Sequence, residues 1–490
     1  MPYNPEQQAK WESELVADVI AYIKTMDKAV SPTSSLYIGV DGVAPMAKIK
    51  QQRHRRFKSA VSAEAEGKLR AEARGIPYEP QPRWDTNAIT PGTAFMATLA
   101  NGLRAYARSD PARIIVSPAD EPGEGEQKIM EWVRRNKPAD VVVYGLDADL
   151  IILALLTSVN QNITVDLYRE EVEFSGGMKY DSFGDIQYLY MNSNHLAQTL
   201  FEKYGKPTDT LKSFIMNFVG IMNMLGNDFV PHGMSLKIRE DGIHTLLDLY
   251  KTVLTEPLVN DGTYNVTALR QLYTVLEKQE PVAILKTVTK KLTARVGSTN
   301  AKEPEDIALA RYNDTPVLWA AEEPLIQRVQ LPGQERATMV LRPDWEATYD
   351  TLALWGADPS TAAHTYLESL GWTLAYYIGE PVDMNWVYPW PLPPRSATIK
   401  AALTAVTSIP IPSTKQVALK PVEQLAMVLP ETSFALLPAE YVALPKKYPY
   451  MWPKSWGSYS FGRRFLWECE PLVPLISPNQ IKNWIEMLYD

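Results

Sequence analysis

The stretch VVVYGLDADLIILALL, residues 141–156, constrains the fold more than any other. Its apolar density demands burial, yet Asp147 and Asp149 sit in its middle. An isolated ionised carboxylate is too costly to keep in an apolar interior. Whatever fold the chain adopts must therefore place a partner opposite these two acids. The run reads as a strand, Val141–Tyr144, a turn at Gly145, and a helix starting near Asp149.

The same grammar recurs along the first half. Leu36–Val40 reads as a buried strand ending at Asp41 and a Gly/Pro turn, followed by a long helix from Ala47 to about Arg74. Ile114–Val116 reads as a strand, followed by a turn and a helix with Ile129, Met130 and Val133 on one face. ITVDLYREEVEF, residues 163–174, reads as a further strand pair, and LKSFIMNFVGIMNMLGNDFVPH as an apolar helix stopped by Gly226. Strands alternating with helices, with acids at strand ends, predict an α/β fold with a mainly parallel central sheet flanked by helices. Three regions are expected: 1–284, carrying the acids; a polar connector, 285–342; and a second, aromatic-rich and proline-rich region, 343–490.

In a parallel sheet the carboxyl ends of the strands share one edge, so their acids converge. Asp41, Glu124, Glu126, Asp147, Asp149 and Asp228 stand at such ends. The expected partner of Asp147 and Asp149 is thus a metal ion. Hard oxygen donors, without cysteine and with few histidines, favour Mg²⁺, with Mn²⁺ as a substitute, over Zn²⁺. Two such ions about 4 Å apart suit phosphodiester hydrolysis. In a regular helix Glu124 and Glu126 would point roughly 200° apart. Gly123 and Gly125 let the backbone bend so that both face one site. The competing reading of a lone D-x-D is a turn or cap, and that of Gly-Asn-Asp at 226–228 a helix C-cap followed by a turn.

MAKIKQQRHRRFKSA, residues 46–60, is strongly basic in a chain of net charge −8. Lys48, Gln52, Arg55 and Arg56 stand at i, i+4, i+7 and i+8 and share one helical face, whereas Lys50, Arg53 and Lys58 point elsewhere. Forked guanidinium donors beside an ammonium suit a terminal phosphate. The alternative is a solvated basic face. Bulk charge does not advertise a nucleic-acid binder, so any such site must come from local clustering of this kind. The single cysteine, Cys469, excludes an intramolecular disulfide and a cysteine-based zinc site. No apolar run reaches membrane length, and the polar N-terminus is unlike a secretory signal, so an intracellular protein is expected, cytoplasmic rather than nuclear.

YIGVDGVAPMAKIKQQRHRRFKSA, NAITPGTAFM, EPGEGEQKIMEWVR, YGLDADLIILAL and GNDFVPHGMSLKIREDGI resemble, in order, motifs of the 5′→3′ exoribonucleases of the Xrn/Rat type. YLESLGWTLAYYIGEPVDMNWVYPWPLPP, VEQLAMVLPETSFALLP and WECEPLVPLIS resemble that family's second conserved region. The resemblance implies a nuclease fold of the flap-nuclease and PIN type, with the second region α-helical and packed against it. It implies processive hydrolysis of single-stranded RNA with a 5′-monophosphate to mononucleotides, using two Mg²⁺ ions. By the same resemblance, Asp41, Glu124, Glu126, Asp147, Asp149 and Asp228 would hold metal, and Lys48, Gln52, Arg55 and Arg56 would bind the 5′-phosphate. Trp386 either matches the base-stacking tryptophan or is a core aromatic; Met384 replaces an aromatic close by.

The family begins with a strand, a further metal-binding aspartate and a base-stacking histidine, and nothing similar precedes Trp11 here. The expectation is that flanking strands close up, or that a gap accepts a strand from another polypeptide. Two other functions stand beside the exoribonuclease: an RNA-binding or scaffold relative with weak or no turnover, and a structure-specific DNA nuclease of the flap-endonuclease class.

Overall fold

The computed structural model describes residues 3–489 apart from 81, 146, 173–177, 183, 185, 331–332, 334–336 and 414–418. The first half runs α1 (Gln8–Val30), β1 (Leu36–Gly39), α2 (Met46–Ala73), α3 (Ala94–Ala107), β2 (Ile114–Ser117), α4 (Gly125–Asn136), β3 (Asp140–Tyr144), α5 (Asp149–Gln161), β4 (Thr164–Glu170) and β5 (Tyr188–Asn192). Helices α6 (Ser193–Tyr204), α7 (Leu211–Asn223) and α8 (Gly242–Thr252), the hairpin β6 (Val259–Asn260) and β7 (Thr263–Tyr264), and α9 (Val266–Leu292) follow. The remainder comprises α10 (Pro304–Asn313), α11 (Thr315–Trp319), β8 (Ile326–Val329), β9 (Thr338–Leu341), α12 (Trp345–Ala353), α13 (Pro359–Ile378), α14 (Ser396–Ala405), α15 (Pro421–Val428), α16 (Leu444–Lys447), β10 (Ser458–Tyr459), β11 (Glu470–Pro471) and α17 (Pro478–Tyr489). No described helix is long and apolar enough to cross a membrane.

The strands form where the sequence places them, but their pairing differs from a single central sheet. β1 pairs in parallel with β2, from Leu36 opposite Ile114 to Gly39 opposite Ser117. β3 pairs in parallel with β4, and β5 closes that sheet antiparallel to β4. Among the described residues these are two separate sheets, and β1 does not pair with β3. Among the described residues β1 and β3 therefore each have one edge without a strand neighbour. Of the expected strand pair, residues 163–172 supply β4 and its exit, and 173–174 lie outside the described residues. The fold is accordingly mixed α/β with small sheets and abundant helix.

The second region is helical and folds into the first. α13 begins at an Asp358 cap with Pro359 in its first turn, and it stops at Gly379, whose φ of +85° is a left-handed value suited to glycine. It packs on α5 and α7 and buries Trp372, Tyr376 and Tyr377. The largest apolar core thus mixes Val143, Leu153 and Phe214 with Tyr366, Trp372 and Leu403. A second core joins Met46, Ile49 and Phe57 of α2 to Leu425, Trp452 and Ile481. α9 runs straight across residue 284.

Candidate active site

Two glycines bring β1 and α4 together. A Cβ on Gly39 would lie 2.8 Å from the Gly125 carbonyl oxygen, and one on Gly125 would lie 2.9 Å from that of Gly39. No side chain fits at either position, so the end of β1 touches the start of α4. Asp41 then follows β1, and its Oδ1 accepts from the Gly125 N–H at 2.7 Å. Asp41 thereby satisfies a donor at the N-terminus of α4. Gly123, with φ +103°, turns the chain so that Glu124 sits at the cap and Glu126 in the first turn.

Glu124 is almost fully buried, at 3% exposure. Its Oε1 accepts from the Tyr376 hydroxyl of α13 at 2.8 Å, and its Oε2 lies 3.0 Å from the Lys48 ammonium. Lys48 also reaches Asp228 Oδ2 at 2.6 Å. Asp228 is presented by a turn in which Asn227 Oδ1 accepts from the N–H groups of Phe229 and Val230, each at 2.9 Å. Gln51 Nε2 donates to the other Asp228 oxygen at 3.4 Å. Asp149 opens α5 and hydrogen-bonds Tyr377, while Asp147 is exposed just before it.

The electrostatics record a crowded anionic site. Burial pushes the Glu126 carboxyl up to about 8, and repulsion from Glu124 adds to it. Burial also raises Glu124, against the opposing pull of Lys48. Asp149 is raised by burial and then by Asp228. Burial disfavours the Lys48 charge, but Glu124 and Asp228 outweigh it and hold the ammonium above its ordinary range. Among the described residues no three acids, histidines or cysteines form a ready metal cage. A cation nonetheless already bridges two of the acids, in the form of the Lys48 ammonium. Oxygen-only donors, partly buried and repelling one another, are the chemistry that suits a hard divalent ion.

The other members of the basic face divide. Gln52 is buried, and its Oε1 has no partner among the described residues. Arg55 is exposed, whereas Arg56 is half-buried and donates to Thr90 Oγ1. Burial, followed by repulsion from Arg55, lowers Arg56 to about 10. The Arg56 Nε is buried without a partner. Arg53 points into the protein, where it donates to the carbonyls of Pro474, Met427 and Met451. Lys50 donates to the carbonyls of Tyr388 and Pro389. Beside Asp228 and Arg55 lies a cavity of about 280 Å³ that also touches Gln51, His54 and Trp390.

Trp386 is half-buried and stacks on Trp372 with ring centroids 5.8 Å apart at 26°; Trp372 stacks in turn on Tyr376 at 5.0 Å and 20°. A ladder of three rings therefore joins Trp386 to the hydroxyl that holds Glu124. The sequence reading missed Tyr376, Tyr377, Gln51 and Thr90. Each lies inside a block that resembles the family, Gln51 in that of α2, Thr90 in NAITPGTAFM and both tyrosines in YLESLGWTLAYYIGEPVDMNWVYPWPLPP, but the pairing of Tyr376 with Glu124, 252 residues distant, is beyond any local pattern.

Comparisons with known proteins place the chain in a family. A family model for the XRN 5′-3′ exonuclease N-terminus matches residues 2–171, and one for the Xrn1 helical domain matches 210–317 and 357–490. Human 5′-3′ exoribonuclease 1 is 27% identical over 97% of this chain and 31% of its own length. The 5′-3′ exoribonucleases 2 of Candida albicans and Schizosaccharomyces pombe are 34% and 35% identical over 55% of this chain and 32% of theirs. The chain thus spans about a third of the length of these curated relatives. With both family models matched in order along the sequence, the chain belongs to the Xrn family of 5′-3′ exonucleases.

Proposed function

We propose that this protein is a 5′→3′ exoribonuclease that removes mononucleotides from single-stranded RNA carrying a 5′-monophosphate. The observation that carries the reading is the Lys48 bridge from Glu124 to Asp228, which sets the basic face of α2 directly against the acids. In this reading residues 1–284 supply the acids and the phosphate face, 285–342 connect, and 343–490 supply the aromatic wall. Asp41, Glu124, Glu126, Asp147, Asp149 and Asp228 would hold Mg²⁺, or Mn²⁺ in its place. Two such ions would activate a water and stabilise the leaving oxygen. Gln52, Arg55 and Arg56 receive the terminal phosphate, and Lys48 links it to the acids. Trp386, backed by Trp372, offers a ring on which a base stacks.

The open edges of β1 and β3 support a second part of the proposal. A strand supplied by another polypeptide would pair with both and join the two sheets into one mainly parallel sheet. β1 leads to Asp41 and β3 to Asp147, so such a strand would end among the acids. In this second reading turnover by the chain alone would be weak, and the chain would act as an RNA-binding relative.

Matched RNAs with 5′-monophosphate, 5′-hydroxyl and 5′-triphosphate ends, incubated with the protein and Mg²⁺, separate the readings. Preferential release of mononucleotides from the 5′-monophosphate substrate supports the exonuclease. Binding without cleavage, converted to cleavage by a strand-forming peptide with a C-terminal aspartate, supports the accepted strand. Equal treatment of all three ends would overturn the proposal.

A further inference from the structure

A second and larger cavity, about 600 Å³, lies between α9, the segment 225–240 and the segment 462–470. It adjoins the smaller cavity beside Asp228, with which it shares Asn227, Glu468 and Glu470. Its size is that of a small-molecule site, roughly 300–1,000 Å³. Six lysine and arginine side chains line it against four carboxylates, in a chain of net charge −8.

All four carboxylates already have partners. Glu240 pairs with Lys290 and Glu322 with Lys291. Glu470 pairs with Arg463 and His54, and Glu468 accepts from the N–H groups of Arg464 and Phe465. Two cations are left over. Lys237 donates only to the Gly462 carbonyl, at 3.1 Å, and Arg239 makes no ion pair or hydrogen bond among the described residues. Arg463, 4% exposed, is held by His232, the Pro391 carbonyl and Glu470, and keeps a buried Nε without a partner among the described residues. Among the described residues Lys237 has Glu240 and Glu468 within electrostatic range but no ion pair of its own, and Arg239 has none either, so the lining keeps an excess of positive charge that an anion would complete.

The aromatic residues explain how Arg239 is held. Phe465 and Trp467 stack with centroids 5.6 Å apart and planes at 10°. Arg464 covers the Phe465 ring at 4.8 Å, and Arg239 covers the Trp467 ring at 4.9 Å. A guanidinium stacked by its face keeps its N–H edges free for a planar or tetrahedral oxyanion.

We propose that this cavity is a second phosphate site, separate from the phosphate face of α2, in which Lys237, Arg239 and Arg463 bind the phosphate of a nucleotide. The phosphate comes from a nucleoside monophosphate or from the backbone of a bound RNA strand, which share this chemistry. The proposal concerns equilibrium binding and stands whether or not the protein cleaves RNA.

Photo-crosslinking to the full-length chain in EDTA tests it locally. One arm uses an azido derivative of adenosine 5′-monophosphate, the other a thiouridine-containing oligoribonucleotide with a 5′-hydroxyl end. Adducts are mapped by mass spectrometry to the peptide containing Phe465–Glu468. Arg239→Gln, at an exposed position, should lower the adduct yield at sub-saturating ligand by about tenfold, as expected for loss of a charge-assisted contact. Lys237→Gln should do the same, and inorganic phosphate should compete. An adduct in only one arm identifies the source of the phosphate, and adducts in both show that the site accepts either. No adduct at this peptide in either arm, or a yield unchanged by Arg239→Gln, overturns the proposal.

Discussion

At the scale of single residues, the site turns on one ammonium between two carboxylates. Lys48→Met leaves Glu124, at 3% exposure, without a countercharge and with the Tyr376 hydroxyl as its side-chain donor among the described residues. Removing one partner of a buried pair costs about 3–5 kcal/mol; the lower end is expected here, because Asp228 is only partly buried. The loss should shrink as pH falls, since a protonated Glu124 needs no countercharge. Urea unfolding of the variant at several pH values checks this, and a pH-independent deficit would count against the bridge. Glu280 offers a cleaner titration outside the site. It accepts from the Ser396 N–H and hydroxyl, both at 2.9 Å, yet burial raises its carboxyl from 4.5 to about 7. The native state therefore binds this proton more tightly than the unfolded chain does. Stability falls as pH rises through that window, by at most ~1.4 kcal/mol per pH unit from this group. Glu280→Gln should flatten the fall relative to the parent protein, and an unchanged slope would contradict the assignment. The acids and the basic face were legible in the sequence because helical spacing and strand ends are local properties. The cation that Glu124 faces was not, because helical spacing groups Lys48 with the phosphate-binding face rather than with the acids.

At the scale of elements, α2 shows how one helix serves two purposes through different faces. Its i, i+4, i+7 face carries Lys48, Gln52 and Arg55 towards the site, while Arg53 turns into the core at 0% exposure. Arg53 holds the carbonyls of Met427, Met451 and Pro474, which belong to three separate segments of the second region. Its truncation strands three acceptors, each worth roughly 1–3 kcal/mol when left unsatisfied in the interior. Arg53→Ala is thus expected to destabilise the protein by more than about 3 kcal/mol, whereas exposed Arg55→Ala should leave the melting temperature nearly unchanged and weaken selection for a 5′-phosphate. Equal thermal shifts for the two variants would refute this division. The strands were legible because short apolar runs between breakers specify where a strand forms. Their pairing was not, because it depends on which neighbour is at hand. Leu36–Gly39 finds Ile114–Ser117, Asp140–Tyr144 finds Thr164–Glu170, and nothing in either run announces that the two pairs remain apart.

At the scale of the whole molecule, the two regions distinguished by composition are not independent bodies. The largest core draws Leu150, Phe218 and Leu272 from the first and Leu367, Leu374 and Leu403 from the second. α9 packs along α14, and Lys400 of α14 pairs with Glu277 of α9. The Met46 N–H that opens α2 donates to the Met384 carbonyl at 2.7 Å, and Tyr376 reaches Glu124 across the same boundary. A chain ending at residue 284 would lose the last turns of α9, strip α13 from α5 and α7, and expose apolar side chains that are now fully covered. Fully burying one large apolar side chain contributes about 1.5–3 kcal/mol, and a domain's net stability is only about 5–15 kcal/mol. Losing a handful of such burials is enough to abolish cooperative folding. Residues 1–284 expressed alone should therefore be insoluble or should bind a hydrophobic dye without a thermal transition. The intact chain should unfold in a transition that joins both regions, and co-expression with residues 285–490 should restore it. A sharp calorimetric transition for 1–284 by itself would show that the acidic region folds unaided. The contacts of Tyr376 and Met384 would then be a docking interface between two domains rather than part of one core.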